Sequence, residues 1–207
     1  MLAEPYRRSM RAKEYLDFDR ASQDARYEFI DGTVTMLAGG TINHSRISIN
    51  LAKTLDHELF DKPCLVYNSD MRVCISASRY VYTDISISCD PRDQEQGNID
   101  IIYHPCVIIE VLSPHTEAYD RSKKFSFYRS CPSVQEYVLV SSQEAVVDVY
   151  QRATENLWTL HFFGPGDEVE LKSINVVIPM TAIYERIKFG SPSLRGNLAK
   201  SSCDMLQ

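Results

Sequence analysis

Two hydrophobic periods divide the chain into candidate helices and strands. Between 42 and 60, apolar residues recur every fourth position, which predicts an amphipathic helix of about five turns with Asn43 as its cap. The residues on that stripe are Ile47, Leu51, Leu55 and Leu59. The run 106–112 is apolar except at Glu110 and predicts a central strand that is buried on both faces.

Shorter patterns predict the remaining elements. Helices are predicted at about 9–18 and 117–130, and the Asp31–Gly32 pair predicts a turn between strands at 26–30 and 33–38. Further strands are predicted at 64–75, 81–89, 136–141, 145–151, 157–163, 168–171 and 174–178. This order is not a regular βαβ repeat, and it predicts an α/β or α+β fold with a mixed sheet and C-terminal β-hairpins.

The composition is typical of one folded domain with a tail. With 207 residues, 44% of them hydrophobic, the chain can build a single core, which we assign to residues 1–189. Residues 190–207 are rich in Ser, Gly, Pro, Asn and Lys without periodicity, and we expect a disordered tail. Because no apolar run could span a bilayer and the first residues do not resemble a signal peptide, we expect a cytoplasmic protein without membrane contact.

The spacing of the six cysteines and the net charge limit the classes of function that the sequence supports. No CxxC pair or zinc-ligand spacing occurs, and we expect reduced thiols that act as small core residues. The net charge of −6 counts against a high-affinity, non-specific nucleic-acid binder, because phosphate contacts favour a basic surface. The charge is compatible with an enzyme, since a site for a hard metal ion requires clustered carboxylates.

Glu110 and Asp84 are the strongest candidates for chemistry. Glu110 interrupts the most apolar strand, and a buried carboxylate must be paired, protonated or bound to a metal. Successive side chains of a strand point to opposite faces, so Ile85 and Ile87 lie on one face and Asp84 lies on the other, more polar face. If the two strands are neighbours, the carboxylates could share Mg²⁺ or Mn²⁺. The alternative is a strand-end glutamate that reaches solvent or an arginine, beside a solvated aspartate.

Five other residues are weaker candidates when each is taken alone. Asp120, Lys124 and Tyr128 fall on one helical stripe, which either faces the carboxylates or forms a surface salt bridge. Glu28 lies in a short strand between apolar residues, and His44 lies near the start of the long helix. Such a histidine is more often a packed or capping residue than a catalytic one.

Several segments, in the order in which they occur along the chain, carry a resemblance to a known protein family. They are 26–32 (RYEFIDG), His44, 82–85 (YTDI), 107–114 (VIIEVLSP), 119–125 (YDRSKKF) with Tyr128, and 136–140 (EYVLV). Together they resemble the Uma2 family of restriction-endonuclease-like proteins, assigned to the PD-(D/E)xK nuclease superfamily. The resemblance covers about residues 9 to 189, and 110–128 is its most specific part.

The resemblance implies a restriction-endonuclease-like fold, with a mixed central β-sheet flanked by helices. It also implies that Asp84 and Glu110 are ligands of Mg²⁺ or Mn²⁺ and that Glu28 is an additional acidic residue of the catalytic site. Leu112 occupies the position of the motif lysine, and the resemblance indicates that Lys124 takes over that role.

Thr83 stands where the motif has proline, which contributes no ligand. His44, Asp120 and Tyr128 are possible accessory residues, and their roles stay open. The implied activity is metal-dependent hydrolysis of DNA phosphodiester bonds, with DNA as the partner and a homodimer as an open possibility. Two other classes are a catalytically inactive nuclease-fold module for binding or assembly, and a metal-dependent phosphoesterase that acts on something other than DNA.

Overall fold

The computed structural model describes residues 9–37, 39–95 and 100–190. The helices of this part are α1 (Ala12–Ala21), α2 (Ile42–Glu58), α3 (Glu117–Tyr119), α4 (Phe125–Ser130) and α5 (Met180–Ile183). A π-helical segment, Asp120–Lys124, joins α3 to α4, and two 3₁₀ turns lie at Pro91–Asp93 and Lys172–Ile174. The strands are β1 (Tyr27–Ile30), β2 (Thr33–Met36), β3 (Leu65–Asn68), β4 (Arg72–Ser76), β5 (Arg79–Tyr82), β6 (Ile85–Ser88), β7 (Ile101–Ile102), β8 (Pro105–Leu112), β9 (Glu136–Ser141), β10 (Val147–Arg152), β11 (Trp158–Phe163), β12 (Glu168–Leu171) and β13 (Val176–Pro179).

A mixed six-stranded sheet lies at the centre, in the order β11-β10-β9-β8-β6-β3. Strands β8 and β9 are parallel, and the other neighbours in this sheet are antiparallel. A five-stranded sheet, β2-β1-β5-β4-β7, and the C-terminal hairpin of β12 and β13 complete the architecture. The predicted mixed α+β fold with an extra C-terminal hairpin is confirmed.

Strand β8 is buried on both faces, as its apolar run predicts. Val107, Ile109 and Val111 belong to the core that α2 and the C-terminal hairpin cover. Ile108 and Leu112 belong to the opposite core, which α4 and the five-stranded sheet cover. Alternation along the strand places Glu110 on this second face, which is a buried position for a carboxylate.

Helix α2 packs its predicted apolar stripe into the first core, but its cap differs from the prediction. Thr41 is the N-cap, and its Oγ1 accepts a hydrogen bond from the His44 amide at 3.2 Å. Asn43 instead donates its side-chain amide to the carbonyls of Ser142 and Lys188. The predicted cap was wrong because Asn43 serves a long-range contact that the local sequence does not show.

Two predicted strands are each divided into two. The segment 64–75 breaks after Asn68, whose Oδ1 accepts a hydrogen bond from the Asp70 amide at 3.0 Å. The segment 81–89 breaks at 83–84, where the chain leaves the five-stranded sheet and enters the six-stranded sheet. Asp84 therefore lies immediately before β6 rather than inside a strand.

The cysteines correct a further expectation. Cys64 and Cys89 form a disulfide that joins the ends of neighbouring β3 and β6, while Cys74, Cys106 and Cys131 are free. The pairing could not be read from spacing because 25 positions separate the two residues. No helix within the described ranges is long and apolar enough to cross a membrane. Apart from Gly190, the predicted tail lies outside the described residues.

Candidate active site

The pairing of β6 with β8 brings Asp84 next to the Glu110 segment. Ile85 pairs with Ile109 in this antiparallel ladder, so Asp84 lies opposite Glu110, one step beyond the last recorded pair. The Oδ2 atom of Asp84 accepts a hydrogen bond from the backbone amide of Val111 at 2.7 Å. The two strands that carry the strongest candidates are therefore neighbours, as the hypothesis of a shared site requires.

Glu110 is held by two donors that come from the helical region after β8. Lys124 Nζ lies 2.9 Å from Glu110 Oε1, and the Tyr128 hydroxyl donates to the same oxygen at 2.7 Å. Burial raises the pKa of Glu110 to about 8; Lys124 opposes this rise, and the negative charges of Asp84 and Asp120 add to it. Glu110 is thus a buried carboxyl group whose pKa depends on the charges around it.

Lys124 lies at the centre of a group of carboxylates. Its Nζ is 3.4 Å from Glu28 Oε1 and 3.9 Å from Asp120 Oδ1, in addition to the contact with Glu110. Burial alone would lower the pKa of Lys124, but Glu110 and Glu28 outweigh burial and hold the pKa well above its ordinary value. The ammonium group is therefore charged and supplies the positive charge at this point.

The local backbone explains how Lys124 reaches the strand. Lys124 ends the π-helical segment, and such widened turns inside helices are common at functional sites. Arg121 of the same segment pairs with the buried Asp148 of β10, which fixes the segment against the sheet. Lys124 and Tyr128 therefore point at Glu110, while Lys123 is exposed.

His44 reaches the same site from the other face of the sheet. Its Nε2 lies 3.1 Å from Asp84 Oδ2, and this hydrogen bond raises the pKa of His44, although partial burial opposes the rise. Asp84 therefore receives two donors on one oxygen, the Val111 amide and the His44 ring.

The donor pattern engages one oxygen of each carboxylate. Asp84 is contacted at Oδ2, and Glu110 has its hydrogen bond and its closest ion-pair contact at Oε1. Within the described part of the chain, Asp84 Oδ1 and Glu110 Oε2 accept no hydrogen bond. Two such oxygens from opposed positions suit a hard cation such as Mg²⁺ or Mn²⁺. Nevertheless, no group of three or more His, Cys, Asp or Glu side chains there has the arrangement of a metal site.

All the predicted site residues converge on this one region, and two features of it were missed. The hydrogen bond from the Val111 amide cannot be predicted from the sequence, because it depends on how β6 and β8 pair. The Tyr82 backbone amide also donates to Glu28 Oε1 at 3.4 Å, a contact between β5 and β1 that no local pattern indicates. A separate cavity of about 460 Å³ lies between α2 and the β3–β4 region and contains none of these residues.

Sequence comparisons show the family to which the chain belongs. A family model described as "Uma2: Putative restriction endonuclease" matches residues 12–181, most of the chain. The chain belongs to the Uma2 family. Two relatives from Synechocystis sp. (strain ATCC 27184 / PCC 6803 / Kazusa) are both described only as uncharacterized proteins. The protein slr1290 is 35% identical over 178 residues, which cover 86% of this chain and 92% of that protein. The protein sll1609 is 31% identical over 167 residues, which cover 80% and 94%.

A solved structure shows the same fold at low identity. It is described as a "putative nuclease belonging to DUF820 from Anabaena variabilis ATCC 29413" and has a TM-score of 0.70 to this chain. The match is 17% identical and covers 84% of this chain and 97% of that one. The Uma2 chain therefore shares its architecture with a protein of that description.

Proposed function

We propose that this Uma2 protein is a divalent-metal-dependent endonuclease that hydrolyses phosphodiester bonds in DNA. The observation that carries the proposal is the opposed pair of Asp84 and Glu110, each with one oxygen held by donors and the other accepting no hydrogen bond from the described residues. Lys124 adds a positive charge beside Glu110. The family's description supports the reaction class.

In this proposal each residue has a separate role. Asp84 and Glu110 would hold Mg²⁺ or Mn²⁺ with Oδ1 and Oε2, the oxygens that accept no hydrogen bond from the described residues. The bound ion would supply Lewis-acid polarisation of the phosphate and a more acidic bound water. Lys124 would orient the attacking water or stabilise the negative charge that develops on the phosphate. Tyr128 would hold Glu110 in place, and Glu28 would anchor Lys124.

The Glu110–Lys124 contact also favours a second candidate. An ammonium group bound to Glu110, with no three-residue metal arrangement in the described ranges, suits a binding or assembly module that has no metal. The net charge of −6 points in the same direction, because such a surface is unfavourable for DNA. A third candidate, a phosphoesterase with a substrate other than DNA, differs from the first only in what it cleaves.

Cleavage of supercoiled plasmid with Mg²⁺ or Mn²⁺ tests the proposal. The wild type should nick the plasmid, and Glu110→Gln should reduce the rate at least about 100-fold, the scale of one lost catalytic contact. Glu144→Gln is the matched control, since it removes an exposed carboxylate outside the site. Equal rates for the wild type and Glu110→Gln would refute the proposal. Metal binding without plasmid cleavage would favour the phosphoesterase, to be tested with phosphodiesters other than DNA.

A further inference from the structure

Three separate constraints fix the position of His44. The Thr41 cap accepts a hydrogen bond from the His44 amide at 3.2 Å and thereby fixes the backbone at the start of α2. The ring Nε2 contacts Asp84 Oδ2 at 3.1 Å. The third constraint is Gly40, because a methyl group at that position would lie 2.7 Å from His44 Nδ1 and 3.0 Å from Cγ. The His44 ring occupies the space that any larger residue at position 40 would fill.

Hydrogen-bond chemistry determines which nitrogen of the His44 ring carries the proton and donates a hydrogen bond to Asp84. An ionised carboxylate can only accept, so Nε2 must carry the proton that it shares with Asp84. Because the Val111 amide donates to the same Oδ2, the two donors fix the rotation of the carboxylate about its own axis. Asp84 Oδ1 is then the oxygen that faces away from both donors.

We propose that Gly40 and His44 form a positioning unit that orients Asp84 for a divalent cation. This inference rests on the proposed function, since it assigns Asp84 Oδ1 to the metal. In this arrangement His44 is a positioning residue and not a ligand, and Gly40 acts only by leaving room for the ring. Partners of metal ligands commonly change metal affinity about 10- to 100-fold when they are removed.

Neighbouring Gly39 provides a matched control. A methyl group at position 39 would meet no atom of the described residues within 4 Å, and neither glycine has a left-handed backbone. Neither alanine variant therefore requires a left-handed backbone, and Gly39→Ala should retain the urea midpoint of the wild type. Gly40→Ala alone must displace the His44 ring, and its urea midpoint is measured to verify that the variant remains folded.

The experiment measures Mn²⁺ affinity by calorimetry, with the His44 ring followed by ¹⁵N NMR. Gly40→Ala should weaken Mn²⁺ binding about 10-fold or more and should remove the hydrogen-bonded Nε2–H signal of His44. Gly39→Ala should match the wild type in both measurements. His44→Leu should weaken binding as much as Gly40→Ala, whereas His44→Gln, which keeps a donor, should stay within about threefold of the wild type.

The double variant decides whether the two residues act as one unit. If Gly40 acts only through His44, adding Gly40→Ala to His44→Leu should have no further effect. Additive losses, or equal affinities for Gly40→Ala and Gly39→Ala, would overturn the inference. Loss in His44→Gln as large as in His44→Leu would make the imidazole a ligand and also overturn it. Mn²⁺ binding that Glu110→Gln leaves unchanged would instead refute the proposed function, and the positioning role would fall with it.

Discussion

The stability of the metal-free protein should fall with rising pH through Glu110. Burial raises the pKa of Glu110 to about 8 despite the opposing charge of Lys124. The pKa in the folded state is thus above the value of 4.5 that is ordinary for a glutamate. Glu110 therefore contributes its full share of stability below about pH 4.5 and loses it as the pH rises through about 8.

The size of the effect follows from the two pKa values. At about 1.4 kcal/mol per pKa unit, the difference between the two pKa values corresponds to about 5 kcal/mol of unfolding free energy. Of this, about 3 kcal/mol should be lost between pH 5 and pH 8. Glu110→Gln cannot ionise, but its carbonyl oxygen still accepts from Tyr128 and Lys124. The variant should therefore lack this part of the pH dependence.

Urea unfolding in EDTA at pH 5, 6, 7 and 8 measures the difference. The wild type should lose about 3 kcal/mol of unfolding free energy relative to Glu110→Gln across this range. Glu144→Gln, which changes an exposed carboxylate, should follow the wild type. Parallel curves for the wild type and Glu110→Gln would mean that the Lys124 contact keeps Glu110 ionised with an ordinary pKa. The description of Glu110 as a raised-pKa acid would then be wrong.

Two further predictions concern Lys124 and the disulfide. Lys124→Met should reduce the rate of plasmid cleavage at least about 100-fold, whereas the rate of the exposed control Lys123→Met should stay within about twofold of the wild type. Equal small losses in the two variants would show that neither lysine is catalytic. Reduction by dithiothreitol should lower the unfolding free energy of the wild type by about 3 kcal/mol, because the Cys64–Cys89 bond closes a loop across 25 positions. Cys64→Ser should show no response to the reductant, and a response as large as that of the wild type would contradict this origin.

Most of the central architecture could be predicted because its signals are local. The apolar run around Glu110 and the four-residue repeat of α2 each define an element and its buried face without knowledge of the partner. Part of the site could be predicted for a related reason, since a carboxylate in the most apolar strand needs a compensating group, whereas Glu28 is assigned to the site only through the family resemblance. Lys124 and Tyr128 supply that compensation from the next helical region.

The remaining features depend on contacts between distant segments. The disulfide and the Val111–Asp84 hydrogen bond exist only once β6 has its particular neighbours and register. The paired glycines at 39 and 40 look like an ordinary strand end in the sequence. The two positions differ in their surroundings, because a methyl group at position 40 would contact the His44 ring, whereas one at position 39 would meet no described residue within 4 Å.

In the proposed site the lysine comes from the helical region after β8, because position 112 on β8 is unfavourable for a charged side chain. Leu112 shares the Glu110 face but is 1% exposed among Phe127, Tyr137 and other core residues. A lysine there would bury its charge in an apolar cluster two residues beyond Glu110, which is costly without a partner. Lys124 instead contacts the Glu110 carboxylate from the helical region, where Glu28 and Asp120 compensate the charge of its ammonium group. This arrangement keeps an ammonium beside Glu110 and leaves position 112 free for packing, as the proposed role of Lys124 requires.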